Sequence, residues 1–302
     1  VDEVGSVITP PQWRIAGRVR PEVVILGAPN KPRVHEAIER LQGPIAERAD
    51  LVAIDLEFAH DFVNCSHDLV IVVGGDGSIL QAARQMGSNQ LPVLGINCGR
   101  LGFLAALSPE NFLKLWPRIA AGEYRVAESL MLECSVWRSG TCVARQAALN
   151  EAAVMGGPPY NILEIALEVD GQPASSYRCD GLIISTPVGS TAHNLSAGGP
   201  ILQRTLPAVV ISPLSPHTLT FRPVVDRADR IYELRVANPN ASTSLVVDGR
   251  VQCRLEAGDR IRVERSAQSF RMVIVPGQND YQTLREKLGW GGAVQQEPRT
   301  DD

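Results

Sequence analysis

The chain has 302 residues, 44% hydrophobic and 21% charged, which describes a globular polypeptide with room for two domains and excludes disorder, collagen and a disulfide-stapled miniprotein. Acidic residues outnumber basic ones by 33 to 29, so nothing in the balance points to nucleic acid bound by phosphate neutralisation. Lys31, Lys114 and Lys287 are the only lysines, so an anion would have to be met by backbone amides, arginines or a metal. No apolar run approaches the roughly 20 residues that cross a bilayer, so no membrane partner is expected. The first residues lack the charged-then-apolar pattern of a secretion signal. Cys65, Cys98, Cys134, Cys142, Cys179 and Cys253 form no C-x-x-C pair and have no histidine at zinc spacing. They read as reduced thiols of a cytoplasmic protein.

Val1 to Arg20, with Pro10 and Pro11, reads as a loose leader. Glu22 to Leu26 is a buried-strand run, and Pro32, a favourable first-turn residue, opens a helical pattern to Asp50 that Pro44 is expected to kink or divide. Leu51 to Asp55, Leu69 to Val73 and Pro92 to Ile96 are further short strands, with a helical stretch from Ile79 to Met86 between the last two. Ser108, Pro109 and Glu110 supply an N-cap, a first-turn proline and an acidic first turn for a helix through Ile119. Strands alternating with helices predict an α/β domain over residues 21–128 with a mainly parallel sheet.

After Glu128 the period becomes two. Leu130, Leu132, Cys134 and Val136 share one strand face, and Ser139-Gly140, Asp170-Gly171 and Asp248-Gly249 sit where hairpin turns are needed. Residues 129–277 therefore read as an antiparallel β-sandwich-like domain with one short helix after Thr191. The tail at 278–302 regains helical composition from Asp280 to Trp290 and is expected to pack back on the first domain.

Leu69 to Val73 runs straight into Gly74-Gly75-Asp76-Gly77-Ser78 and then a helix. A strand ending in glycines and feeding a helix lets backbone amides approach a phosphate, with no need of lysine. The plainer reading is a tight strand-to-helix turn capped by Ser78. Asp76 is out of place in an anion cradle unless a cation lies beside it or it takes a proton from an incoming hydroxyl, and both roles belong to phosphoryl transfer. Neither G-x-x-x-x-G-K-[ST] nor the protein-kinase set is present, and the pattern is not G-x-G-x-x-G. The second half adds Asn150-Glu151, Arg178-Cys179-Asp180-Gly181, Ser185 to His193 and Ser196 to Pro200. Hydroxyls, amide and carboxylates at this density suit a sugar diol and a purine edge. Each piece alone is more often a turn or loop.

Together, Gly74 to Ser78, Gly95 to Leu104, Asn150-Glu151, Asp180-Gly181, Ser185 to His193 and Ser196 to Pro200 resemble the NAD kinases, as does Pro216 to Pro223 and the LREKLGWG tail. The resemblance spans about Val23 to Trp290 and implies an α/β domain with a Rossmann-like sheet, a β-sandwich-like domain and a returning tail. It implies phosphorylation of the adenosine-ribose 2′-hydroxyl of NAD, with ATP or polyphosphate as donor, Mg²⁺ accompanying ATP, and a homodimer or homotetramer. Asp76 would be the proton acceptor, with Gly77 beside it in the phosphate-binding turn. Asn150 and Glu151 would hold adenine and ribose groups, Asp180 the nicotinamide end, and Arg178 would lie near the phosphates. Thr191, Ala192, His193 and Ser196 would line the adenosine pocket, with Asn161 a further NAD contact.

Four positions depart from the family pattern: Ser78 for threonine, Val188 for a hydroxyl residue, His193 for tyrosine and Arg250 for glutamine. Two other readings share parts of the pattern. A lipid or sugar kinase would use the same GGDG turn but would not be expected to carry the Ser185 to Pro200 set. An inactive dinucleotide-binding sensor would gain by losing Asp76.

Overall fold

The computed structural model describes residues 18–99, 102–105 and 107–290. Most of the leader, the end of the tail at 291–302, and Arg100 and Leu101 of the Gly95 to Leu104 motif lie outside the described residues. The first half contains β1 (Glu22–Gly27), α1 (Pro32–Arg48), β2 (Asp50–Asp55), β3 (Leu69–Gly74), α2 (Asp76–Met86), β4 (Val93–Asn97) and α3 (Pro109–Ala120). The four strands are parallel, in the order β2-β1-β3-β4. β3 is buried at every position because helices cover both faces. Val23, Ile25, Ile71 and Val73 pack with α1 and α3, while Val24, Val70 and Val72 pack with α2.

Local signals placed these elements well. Ser108 Oγ accepts the Asn111 N–H at 3.2 Å, and Pro109 takes the first turn of α3. Pro44 does not divide α1, which continues to Arg48. Leu41 and Ile45 on either side of it are fully buried, and the Trp116 indole of α3 donates to the Pro44 carbonyl at 3.0 Å. Packing from α3 thus holds the turn whose ladder bond proline removes.

The second half comprises β5 (Arg125–Arg138), β6 (Thr141–Ala148), β7 (Glu151–Met155), β8 (Leu163–Val169), β9 (Gln172–Cys179), β10 (Gly181–Ser185), a 3₁₀ turn (Gly189–Thr191), α4 (His193–Ser196), β11 (Ala208–Leu214), β12 (Val224–Arg227), β13 (Tyr232–Val236), β14 (Ser244–Val247), β15 (Arg250–Arg254), β16 (Arg260–Ile274) and α5 (Asp280–Leu288). Asp170-Gly171 and Asp248-Gly249 have positive φ at both residues, the geometry whose twist matches flanking antiparallel strands. One six-stranded antiparallel sheet runs β12-β11-β10-β7-β14-β15. It packs on β5, β8, β13 and β16 through Leu132, Val136, Ile165, Ile184, Val209, Tyr232 and Val263.

The periodicity gave no sign that the two halves share a sheet. β16 pairs with β5 from Arg260 to Ile274, with β13 near its start, and in parallel with β4 at Met272. Sheet pairing therefore passes from the α/β layer into the sandwich without a linker. α5 returns to the first half, where Lys287 Nζ lies 5.0 Å from the centroid of the Phe103 ring.

Trp116 anchors α3 to α1 and stacks on Phe112 with ring centroids 5.2 Å apart. Trp116→Ala should lower the urea-unfolding free energy by about 3–5 kcal/mol, whereas Tyr281→Ala, at an exposed site, should stay within about 0.5 kcal/mol.

Candidate functional site

The helix begins one residue after the glycine pair. Gly75 is its N-cap, Asp76 its first residue, and Ser78 is buried against Gly74 rather than serving as the cap. Ser78 N–H donates to the Gly75 carbonyl at 2.9 Å, while the N–H groups of Asp76 and Gly77 lie before the first turn closes and have no carbonyl to meet within the helix, and Gly75 and Gly77 have open space where a Cβ would stand. An anion can thus reach this turn.

Asp76 is already engaged by the protein. Its Oδ2 accepts the Phe103 N–H at 2.8 Å, and its Oδ1 accepts the N–H groups of Leu104 and Ala105 at 2.9 and 3.0 Å. An ionised carboxylate offers about four lone-pair positions, so three are taken and one, on Oδ2, is left among the described residues. A Cβ on Gly102 would overlap Asp76 Oδ1, which is why the loop after β4 needs glycine there.

A second carboxylate has the same arrangement. Asp248 accepts the N–H groups of Leu149, Asn150 and Glu151 at 2.9, 2.8 and 3.1 Å. Burial pushes its carboxyl up, against the three donors and the positive charge of Arg84, which hold it down. Sequence reading took Asp248-Gly249 only as a hairpin turn. A turn aspartate and a distant Asn-Glu pair carry no local signal that they meet, because the pairing of β14 with β7 brings them together. Glu151 is buried, and its Oε2 has no partner among the described residues. Burial first, and then the Asp248 charge, push its carboxyl up to about 8.

The hydroxyl-rich loop differs most from its sequence reading. Thr186 Oγ1 donates to Leu149 O at 2.6 Å and accepts from Gly189 N, and Ser185 Oγ donates to Thr186 O. Ser190 Oγ donates to Pro187 O at 2.6 Å and accepts from Leu202 N, and Thr191 Oγ1 donates to Val188 O. Asn194 is fully buried, donating to Ser190 O and Pro200 O and accepting from Ser212 Oγ at 2.7 Å. The loop thus uses most of its polar groups to hold its own shape. Val188 points into the core beside Leu104 and Leu149, so the missing hydroxyl there takes nothing from a ligand. Half-exposed Ala192 and His193 and exposed Ser196 remain available. Gly189 presses against the Asn150 backbone so closely that a Cβ would overlap the Asn150 carbonyl, which joins this loop to the Asn-Glu turn.

The expected contacts fall into two groups. Glu151 pairs with Ser185 at one end of the β7–β10 ladder, beside Asn150, Thr191, Ala192, His193 and Ser196. Met155 pairs with Gly181 at the other end, where Gly156 N donates to Asp180 O and where Asn161 and Arg178 are exposed. Four residue steps at about 3.4 Å put the two ends roughly 14 Å apart. Asp76 and Gly77 stand with neither strand, at the start of α2.

The raised Glu151 carboxyl has a thermodynamic consequence. The folded chain keeps a proton that the unfolded chain releases near the ordinary glutamate value, so stability falls as pH rises between about 4.5 and about 8. The slope is at most about 1.4 kcal/mol per pH unit. Urea unfolding across that window should show the decline in the wild type and a flatter profile in Glu151→Gln.

Two family models match: the ATP-NAD kinase N-terminal domain over residues 22–124 and the ATP-NAD kinase C-terminal domain over residues 149–275. The NAD kinase of Rhodopirellula baltica is 61% identical over 282 residues, covering 93% of this chain and 90% of that protein. The NAD kinase of Cellvibrio japonicus is 42% identical over 226 residues, covering 74% of this chain and 75% of that protein. Among solved structures, yeast NADH kinase complexed with NADH superposes with a TM-score of 0.82 at 24% identity over 98% of this chain and 95% of its own, a likeness of fold. An NAD kinase from Archaeoglobus fulgidus in complex with ATP superposes with a TM-score of 0.67 at 28% identity over 90% of this chain and all of its own. With both halves matched in order and the GGDG turn, the Asn-Glu turn and the Ser185 to Pro200 loop in place, the chain belongs to the NAD kinase family, the phosphotransferases that make NADP from NAD and ATP.

Proposed function

We propose that Asp76 is the proton acceptor of this NAD kinase and that Oδ2 is the atom that takes the proton from the adenosine-ribose 2′-hydroxyl. The observation that carries this is the occupancy of the carboxylate: Oδ1 is used twice and Oδ2 once. The amides fix the carboxylate plane and leave one lone pair for the hydroxyl. The attacking oxygen then meets the γ-phosphoryl group, whose charge faces the first-turn amides of α2 near Gly77.

Asn150 and Glu151 hold the adenosine part in this reading. Glu151, kept protonated at neutral pH by burial, has a free Oε2 edge with which to meet a sugar hydroxyl or a purine nitrogen. Thr191, Ala192, His193 and Ser196 form the neighbouring wall. We infer that Asn161, Arg178 and Asp180 serve the active site of a second copy, because the length of β10 separates them from the first group while leaving them exposed. A homodimer or homotetramer follows from that division.

Mg²⁺ enters this reading as part of the donor, MgATP. Among the described residues no three His, Cys, Asp or Glu side chains converge on a metal position. In this reading the ion is carried mainly by substrate phosphates, with Asp76 the carboxylate nearest the transferring group. When bound, the ion neutralises charge on that group. We infer a cytoplasmic location from the six free cysteines, of which Cys134 and Cys179 are buried. No described helix is long and apolar enough to cross a membrane.

Asp76→Asn should lower NADP formation by about 10²–10⁴-fold with NAD binding by calorimetry largely kept. Turnover close to wild type would remove Asp76 from the proton-accepting role. The same assay run with NAD, diacylglycerol and fructose 6-phosphate should give product with NAD alone.

A further inference from the structure

The peptide unit between Phe103 and Leu104 connects Asp76 to a residue outside every motif described above. Its N–H, on Leu104, donates to Asp76 Oδ1 at 2.9 Å. Its carbonyl, on Phe103, accepts from the Arg204 guanidinium Nη2 at 2.6 Å. A charged donor on a peptide oxygen polarises that peptide and strengthens the hydrogen bond its N–H makes on the other side. Two bonds on opposite edges also fix the plane of the peptide, and the adjoining Phe103 N–H holds Oδ2. The Phe103 ring has its own restraint in Lys287 of α5.

We propose that Arg204 is the positioning residue for Asp76, acting through the Phe103–Leu104 peptide and tying the carboxylate's orientation to the segment that follows the adenosine loop. Arg204 lies between α4 and β11, downstream of His193 and Ser196. Seating of adenosine against α4 and aiming of the proton acceptor then share one backbone segment. The guanidinium touches neither the carboxylate nor the reacting atoms in this role. Its effect belongs in kcat rather than in dinucleotide affinity. The inference rests on the reading of Asp76 as proton acceptor.

The test measures steady-state kinetics and NAD binding by calorimetry on the full chain for Arg204→Met, Arg204→Lys and Asp76→Asn. Arg204→Met should lower kcat about tenfold while leaving KM for NAD and the NAD dissociation constant within about twofold. Arg204→Lys, whose ammonium still donates to a carbonyl, should regain about a third or more of wild-type kcat. A merely structural clamp would lower the melting temperature and would lower apparent kcat only in step with the calorimetric NAD stoichiometry, whereas the positioning role lowers kcat at full stoichiometry. Wild-type kcat in Arg204→Met, or a change confined to KM, overturns the proposal. Should Arg204→Met fail to fold, Arg204→Ala, which likewise lacks a donor, replaces it with the same expected split, and wild-type kcat there overturns the proposal equally. Retained turnover in Asp76→Asn overturns the proton-acceptor reading itself. Loss in Asp76→Asn with no change at Arg204 overturns only the role of Arg204.

Discussion

Three consecutive N–H groups, on Phe103, Leu104 and Ala105, converge on the carboxylate of Asp76 and make the GGDG turn and the loop after β4 one structural unit. The constraint reaches in several directions. Gly102 has to be glycine because Asp76 Oδ1 occupies the place of its Cβ, and Gly95 of β4 lies under Ala105. α2 must begin at Asp76, and β3 and β4 must be neighbours for the loop to reach it. Asp248 repeats the device on the β-sandwich side with the N–H groups of Leu149, Asn150 and Glu151. Each half of the site is thus organised by a carboxylate that grips a row of backbone donors.

That economy bears on the scarcity of lysine. Backbone N–H donors bring no flexible side chain of their own to these bonds, so at each turn only the aspartate side chain has to be ordered to make three of them. Charged side chains act one step further out. Arg84 balances Asp248, and Lys287 faces the Phe103 ring, so the tail motif has its only lysine near the Asp76 loop. The two halves keep their mutual orientation because β5 and β16 run through both, and because Leu104, Leu149 and Val188 share one core with α2.

Much of the fold was legible in local chemistry. Ser108-Pro109 capped a helix, the Asp-Gly pairs made the hairpins they indicated, and the change to alternating period after Glu128 fell inside β5, which begins at Arg125. Pro44 misled because its cost is local while the compensation, buried Leu41 and Ile45 and the bond from Trp116, comes from elsewhere. The Ser185 to Pro200 loop misled for a related reason. Residue types show how many hydroxyls are present, but only the folded loop shows that Thr186, Ser190 and Asn194 are spent on its own carbonyls. Asp248 was invisible as a site residue, since it looks the same whether its carboxylate faces water or a row of amides.

By itself the sequence determined the succession of elements and the motif set that identifies the family, because caps, turn residues and period are properties of neighbours along the chain. Tertiary structure decided the rest. It decided that one sheet joins the halves, that the Asp76 carboxylate is held by three consecutive backbone N–H groups, that burial raises the Glu151 carboxyl, and that Asn161, Arg178 and Asp180 stand a strand's length from Asn150 and Glu151. Each of these depends on which distant groups share a hydrogen bond or a core, and composition and spacing do not encode that directly. The scarcity of lysine, which left backbone amides, arginines or a metal to meet an anion, is matched in the fold by turns built from backbone amides and carboxylates.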